Sequence, residues 1–229
     1  MKTKDKYYTQ NLFFGNYFCI IEKYRLAFVA ISKNAVTSLK NIAIWSKEGF
    51  IPENEDDTHA YIGFNPEKGF LIPVCDMPEY EMIHGHYIKF AIWRDPVQRL
   101  YSCYKWFCIN KKFREYFLWT GLYDNIPFNR FIDFATFELG KKESLSQDEH
   151  IRPQCKYYNI NQVDYIVPIE YMNIFLEQNG IEKKTIIHSN KSPNIRLDID
   201  KEQIKRIQEL YEQDYYLLSE KSKIWTLSH

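Results

Sequence analysis

A three-layer α/β domain built around a mostly parallel sheet is what this 229-residue sequence predicts, on three observations. Two apolar runs, Leu26 to Ile31 and Phe90 to Trp93, each lead through a polar turn into a helical pattern, as strands buried on both faces do. Strand-like and helix-like segments then alternate toward the C-terminus, the order that covers a sheet with helices. The length suffices for one full core, and no internal repeat divides it.

Taken in order, residues 1–24 read as a leader with a short strand at Tyr17 to Ile21. After the first strand, Ser32-Lys33-Asn34 interrupts the apolar run, and Val36, Leu39, Ile42 and Ala43 then recur at helical spacing. Residues 49–80, rich in Pro, Gly and acids, read as a surface excursion that helps cover a bound substrate. In the second strand–turn–helix segment Asp95 is a favourable N-cap and Pro96 is pre-set for the first helical position. That helix is expected from Pro96 through Cys108. Residues 110–147 form a second excursion, with an amphipathic helix at Phe128 to Ala135 and a polar loop at 140–147. A strand is expected over Val163 to Pro168, a helix over Ile169 to Gln178, and another strand over Lys184 to His188. Ile204, Ile207, Leu210, Tyr211 and Leu218 define one face of an amphipathic helix over Asp200 to Lys221. All of this belongs to one domain, residues 1–229.

Both turns suit anions. The free N–H groups and the dipole of a helix N-terminus favour a phosphate or sulfate. Lys33 can reach over such an anion, and Thr37 and Ser38 can donate hydroxyl hydrogen bonds. The segment resembles a P-loop without its glycines, and Lys33 stands four and five residues before the hydroxyl pair, which argues against a nucleoside-triphosphate hydrolase. At the second turn Arg94 offers a planar fork of donors suited to phosphate, and Ser102 follows about two helical turns later. Two separate anion sites suggest a ligand with two anionic ends.

Together the turns resemble the nucleotide-binding signatures of sulfotransferases that use 3′-phosphoadenosine 5′-phosphosulfate (PAPS), most closely the carbohydrate branch. The later segments Asp148-Glu149-His150-Ile151-Arg152-Pro153-Gln154, Val163 to Glu170, Asn190-Lys191-Ser192 and Tyr211 to Tyr216 follow that family's order. The resemblance implies a P-loop-like fold. It implies a 5′-phosphosulfate site lined by Lys33, Asn34, Ala35, Val36, Thr37 and Ser38, and a 3′-phosphate site made by Arg94 and Ser102. It places Lys191 and Ser192 over the nucleotide. It further implies in-line sulfonate transfer to a hydroxyl of a carbohydrate or glycolipid, with Lys33 stabilising the leaving phosphate and no metal required.

Such a transfer needs a base near the acceptor hydroxyl. His84-Gly85-His86 resembles the base-bearing segment of uronyl 2-O-sulfotransferases, which makes His86 the expected base and His84 its support or an acceptor ligand. His150, beside Asp148 and Glu149, is the rival. His59, His188 and His229 have no motif argument. The two histidines lack the further ligands of a metal site.

Hydrophobic residues at 45% and charged ones at 26% fit a globular protein. Thirty basic and thirty acidic residues cancel, which excludes a global field for nucleic acid or an anionic membrane. No apolar run of about eighteen residues offers an integral membrane segment. Five cysteines in no paired spacing point to reduced thiols in a cytoplasm. Eukaryotic members of the carbohydrate branch typically carry a Golgi membrane anchor; with none legible, a bacterial cytoplasmic enzyme is the expectation. A P-loop-type phosphoryl transferase, or a nucleotide- or glycan-binding module without catalysis, are the alternatives. The motifs specify a donor and leave the acceptor and the oligomeric state to surfaces that pattern does not encode.

Overall fold

The computed structural model describes residues 16–109, 122–185, 199–219 and 221–226. Among these a five-stranded sheet runs in the order β3-β1-β2-β4-β5, with β1 at Tyr17–Ile21, β2 at Leu26–Val29, β3 at Leu71–Pro73, β4 at Ile88–Trp93 and β5 at Tyr165–Pro168. β2, β4 and β5 are parallel neighbours, while β1 runs antiparallel to both β2 and β3. Four strands therefore point the same way and one is reversed. The carboxyl ends of β2 and β4 lie side by side, so the two polar turns share one edge of the sheet, the usual ligand edge of open α/β sheets.

Alternation along each strand explains the layers. Cys19, Ile21, Leu26, Phe28, Phe90 and Ile92 face one side, where they pack with Leu39 and Ile42 of α1 (Val36–Glu48), Ile62 of α2 (Glu55–Phe64) and Phe175 of α6 (Met172–Gln178). Phe18, Ile20, Ala27, Val29, Ala91 and Trp93 face the other side. Met77 of α3 (Met77–His84), Tyr157, Tyr158 and Leu217 cover them. A third cluster joins α4 (Pro96–Tyr104), α5 (Phe128–Leu139) and α7 (Lys201–Leu210) through Leu100, Tyr104, Phe131 and Ile207.

The strand expected at Tyr17 to Ile21 forms as β1, wholly buried between β2 and β3. Several elements differ from the sequence reading. The 49–80 segment is no loop. Asn54 caps α2 by accepting from the Asp57 N–H, and Glu55, Asp56 and Asp57 sit in its first turn, where the helix dipole favours acids. The same segment supplies β3 and α3. α4 ends at Tyr104 and widens into a π-helical turn, Lys105–Ile109. The C-terminal helix is broken at Tyr211 into α7 and α8 (Glu212–Tyr216). A short 3₁₀ turn occupies Lys183–Thr185; the rest of the strand expected there, with Lys191 and Ser192, lies outside the described residues.

Phe90 is fully buried, 4.8 Å from the Phe175 ring and 6.1 Å from Phe28. Phe90→Ala should lower the unfolding free energy by about 3–5 kcal/mol, read from urea titration.

Candidate functional site

The turn after β2 bends without glycine. Lys33 and Ala35 both adopt left-handed backbone angles, at φ of 68° and 58°. Each costs about 1–3 kcal/mol for such residues and persists only where surroundings over-determine it. Here the fixing contacts come from the second turn. Arg94 donates from Nη1 to the Lys33 carbonyl at 2.9 Å, and buried Arg99 donates from Nε to the Ser32 carbonyl at 3.2 Å. Asn34 is buried and donates from Nδ2 to the Ile92 carbonyl and to Gln154 Oε1, both at 2.6 Å.

Gln154 is the hub. Its Oε1 also accepts from the Arg94 N–H at 3.0 Å, and its Nε2 donates to the Arg94 carbonyl at 2.9 Å and to Asp214 Oδ2 at 3.2 Å. The Asp214 carboxylate in turn accepts from the backbone N–H groups of Gln154 and Cys155 at 3.0 and 2.9 Å. Both side chains are fully buried. Two late motif residues thus tie the two turns to each other and to α8.

α1 starts from Ala35 with no side chain capping it, so its first N–H groups face the turn. Val36, Thr37 and Ser38 form its first turn, with Thr37 and Ser38 buried. Burial lowers the proton affinity of Lys33, and Arg94 and Arg99 lower it further against the opposing pull of Cys103 and Glu55. Arg94 is depressed by burial and by Arg99, and its Nε is buried without a hydrogen-bond partner. Crowded cations beside an uncapped helix start fit a polyanionic nucleotide. Ser102 lies buried on α4, about two turns beyond Arg94.

Lys33 Nζ stands 4.3 Å from the centroid of Trp106, which the π-helical turn presents, and the His150 ring packs 5.1 Å from the same indole. His150 Nδ1 is 3.0 Å from Asp148 Oδ1 and the side chain is only 16% exposed. Burial opposes ionisation of Asp148, yet the hydrogen bonds and charge of His150 outweigh it and hold the carboxyl below its ordinary range. An ionised Asp148 accepts, so Nδ1 donates to it, while Nε2 lies 3.9 Å from Glu149 Oε1.

His86 does not join this group. It precedes β4, whose six residues at about 3.3 Å each put it roughly 20 Å from the Arg94 turn. Its side chain is 71% exposed and pairs with Glu81 at 3.1 Å, while the carbonyls of His84 and His86 hold Arg25. The direction of the strand sets His86 apart from Lys33 and Arg94.

His59, which had no motif to recommend it, is at the site. α2 places its Nε2 3.3 Å from Thr37 Oγ1 and 3.8 Å from Glu55 Oε1, and its Nδ1 lies 3.0 Å from Lys40 Nζ. Thr37 donates to Glu55 at 3.0 Å. Burial works against ionisation of Glu55, but His59, the Thr37 hydroxyl and Lys33 outweigh it and hold the carboxyl at about 2. No cluster of three His, Cys, Asp or Glu able to hold a metal occurs among the described residues.

Gln154→Leu should cost at least about 3 kcal/mol, because it strands buried partners on Asn34, Arg94 and Asp214; urea unfolding checks it. The Glu55 carboxyl is held below its ordinary 4.5, so the stability it contributes is complete above that pH and is lost as pH falls toward 2. Urea midpoints at pH 5 and pH 3 should therefore fall less in Glu55→Gln than in wild type.

Neither a search of curated proteins nor a search of solved structures returns a match. The family model described as "Sulfotransferase family" matches residues 16–219, from the first strand of the sheet to the turn after α8. The span takes in both anion turns, the Asp148–His150 pair and the Gln154–Asp214 hub, and the chain belongs to the sulfotransferase family.

Proposed function

We propose that the protein transfers the sulfonate group of PAPS to a hydroxyl of a carbohydrate or glycolipid acceptor. The observation that carries this reading is the meeting of Lys33 and His150 on one indole, Trp106, beside the uncapped start of α1. The bound donor supplies an activated sulfonate on a phosphate leaving group.

Lys33, with the N–H groups of Val36, Thr37 and Ser38, holds the 5′ end and offsets the charge that grows on the leaving oxygen. Arg94 and Ser102 take the 3′-phosphate, which separates this nucleotide from ATP. His150 receives the acceptor proton at Nε2, and Asp148 fixes its tautomer and stabilises the imidazolium. Lys191 and Ser192 complete the nucleotide site. The acceptor class rests on the carbohydrate-branch motifs, and the five free thiols accord with a reducing cytoplasm. No described helix is long and apolar enough to cross a membrane.

Calorimetric titration tests the donor. The protein should bind 3′,5′-adenosine bisphosphate and discriminate against ATP with Mg²⁺. Arg94→Ala should weaken the bisphosphate by tenfold or more. His150→Ala should leave that affinity intact and lower turnover by about 10²–10⁴-fold on any accepted hydroxyl. Preference for ATP with Mg²⁺ would overturn the assignment of the donor.

A further inference from the structure

The two histidines beside the first turn meet opposite partners at Nδ1. His150 Nδ1 donates a hydrogen bond to Asp148. His59 has an ammonium, Lys40, at its Nδ1. A lysine ordinarily binds its proton about four pH units more tightly than a histidine. Burial lowers both, and the charge of Lys40 further raises the cost of charging His59. The carboxylates of Glu55 and Glu149 pull the other way on both groups. Of the pair, His59 therefore gives up its proton first. Lys40 stays charged and donates to Nδ1, which leaves the single proton of neutral His59 on Nε2.

That N–H faces Thr37 and Glu55 beside the start of α1, the end at which the 5′ anion is expected. Nε2 is 3.3 Å from Thr37 Oγ1, and the Thr37 hydroxyl spends its own proton on Glu55. The side chain is 39% exposed, which leaves part of it accessible to a ligand. The charged groups facing it are Lys40 from α1, Glu55 from its own helix and Glu149 from the segment that bears His150, with the neutral Thr37 hydroxyl beside them.

We propose that His59 is a hydrogen-bond donor to the transferring sulfonate, a catalytic residue that acts as an electrophile while His150 acts as the base. The proposal rests on the sulfotransferase reading above. In the transfer, the acceptor oxygen bonds to sulfur as the bond from sulfur to the bridging oxygen breaks. The electron pair leaves on the phosphate, and the acceptor proton goes to His150 Nε2. His59 keeps its proton throughout. A neutral donor there suits a sulfonate whose oxygens hold their charge through the transfer, and Glu55 takes the Thr37 hydroxyl whenever the site is without its anion.

Two measurements test it. Nitrogen-15 NMR of histidine-labelled protein should show His59 protonated at Nε2 and His150 at Nδ1, and adding PAPS should shift the His59 Nε2 signal where 3′,5′-adenosine bisphosphate does not. In titrations, His59→Ala should bind PAPS about tenfold more weakly than wild type. Its affinity for the bisphosphate, which lacks the sulfonate, should be unchanged, which also reports an intact fold. His59→Gln, which retains a donor, should recover most of the lost affinity. A His59 ring protonated at Nδ1, an equal loss for both nucleotides, no loss for either, or no recovery in His59→Gln would each overturn the proposal. If wild type binds neither nucleotide, the donor reading itself falls and takes this one with it.

Discussion

One carboxamide holds the nucleotide edge together. Gln154 uses both lone-pair directions of its oxygen and both protons of its nitrogen on groups from the first turn, the second turn and α8. Because it is fully buried, none of those bonds can be traded for water, and each partner depends on the others. Asp214 closes the arrangement by taking two backbone N–H groups from the Gln154 segment. The two turns are therefore tied into a single unit, although 60 residues of chain separate Arg94 from Gln154.

The first turn depends on that unit. A glycine-rich turn reaches positive φ without steric cost, whereas this one places lysine and alanine there. Arg94 and Arg99 grip the carbonyls of Lys33 and Ser32 and so hold the conformation open. Arg94 thus spends Nη1 on the protein, and its Nε is buried with no hydrogen-bond partner among the described residues. Burial first, and neighbouring guanidinium charge second, depress the proton affinity of Arg94 and Lys33.

What the sequence made legible follows from local pattern. Apolar runs ending in a polar turn gave β2, β4 and the helices after them, and Asp95 behaves as the cap its residue type suggests. His86 lies apart from the two turns because of direction. On a strand, residues before and after it lie at opposite ends of the sheet, so closeness in sequence to Arg94 meant distance in space. α2 escaped notice because its first turn is acidic and its apolar face is narrow, with only Thr58 and Ile62 buried. With α2 unread, His59 and Glu55 had no place to be. Gln154 and Asp214 were visible as motif letters, but a buried hub leaves no local periodicity, and only their joint contacts reveal what they do. Trp106 was invisible for a related reason, since a π-helical turn shifts a side chain off the helical face that pattern counting assumes.

The glycine-free turn also bears on turnover itself. Polar groups that must swing toward charge as it develops add reorganisation energy to the barrier in every cycle, whereas groups already aligned do not. Left-handed angles at Lys33 and Ala35, held by two guanidinium groups behind the backbone, leave the amides of α1 no alternative orientation to relax into. The conformational cost falls once, during folding, and not each time charge develops beside the turn.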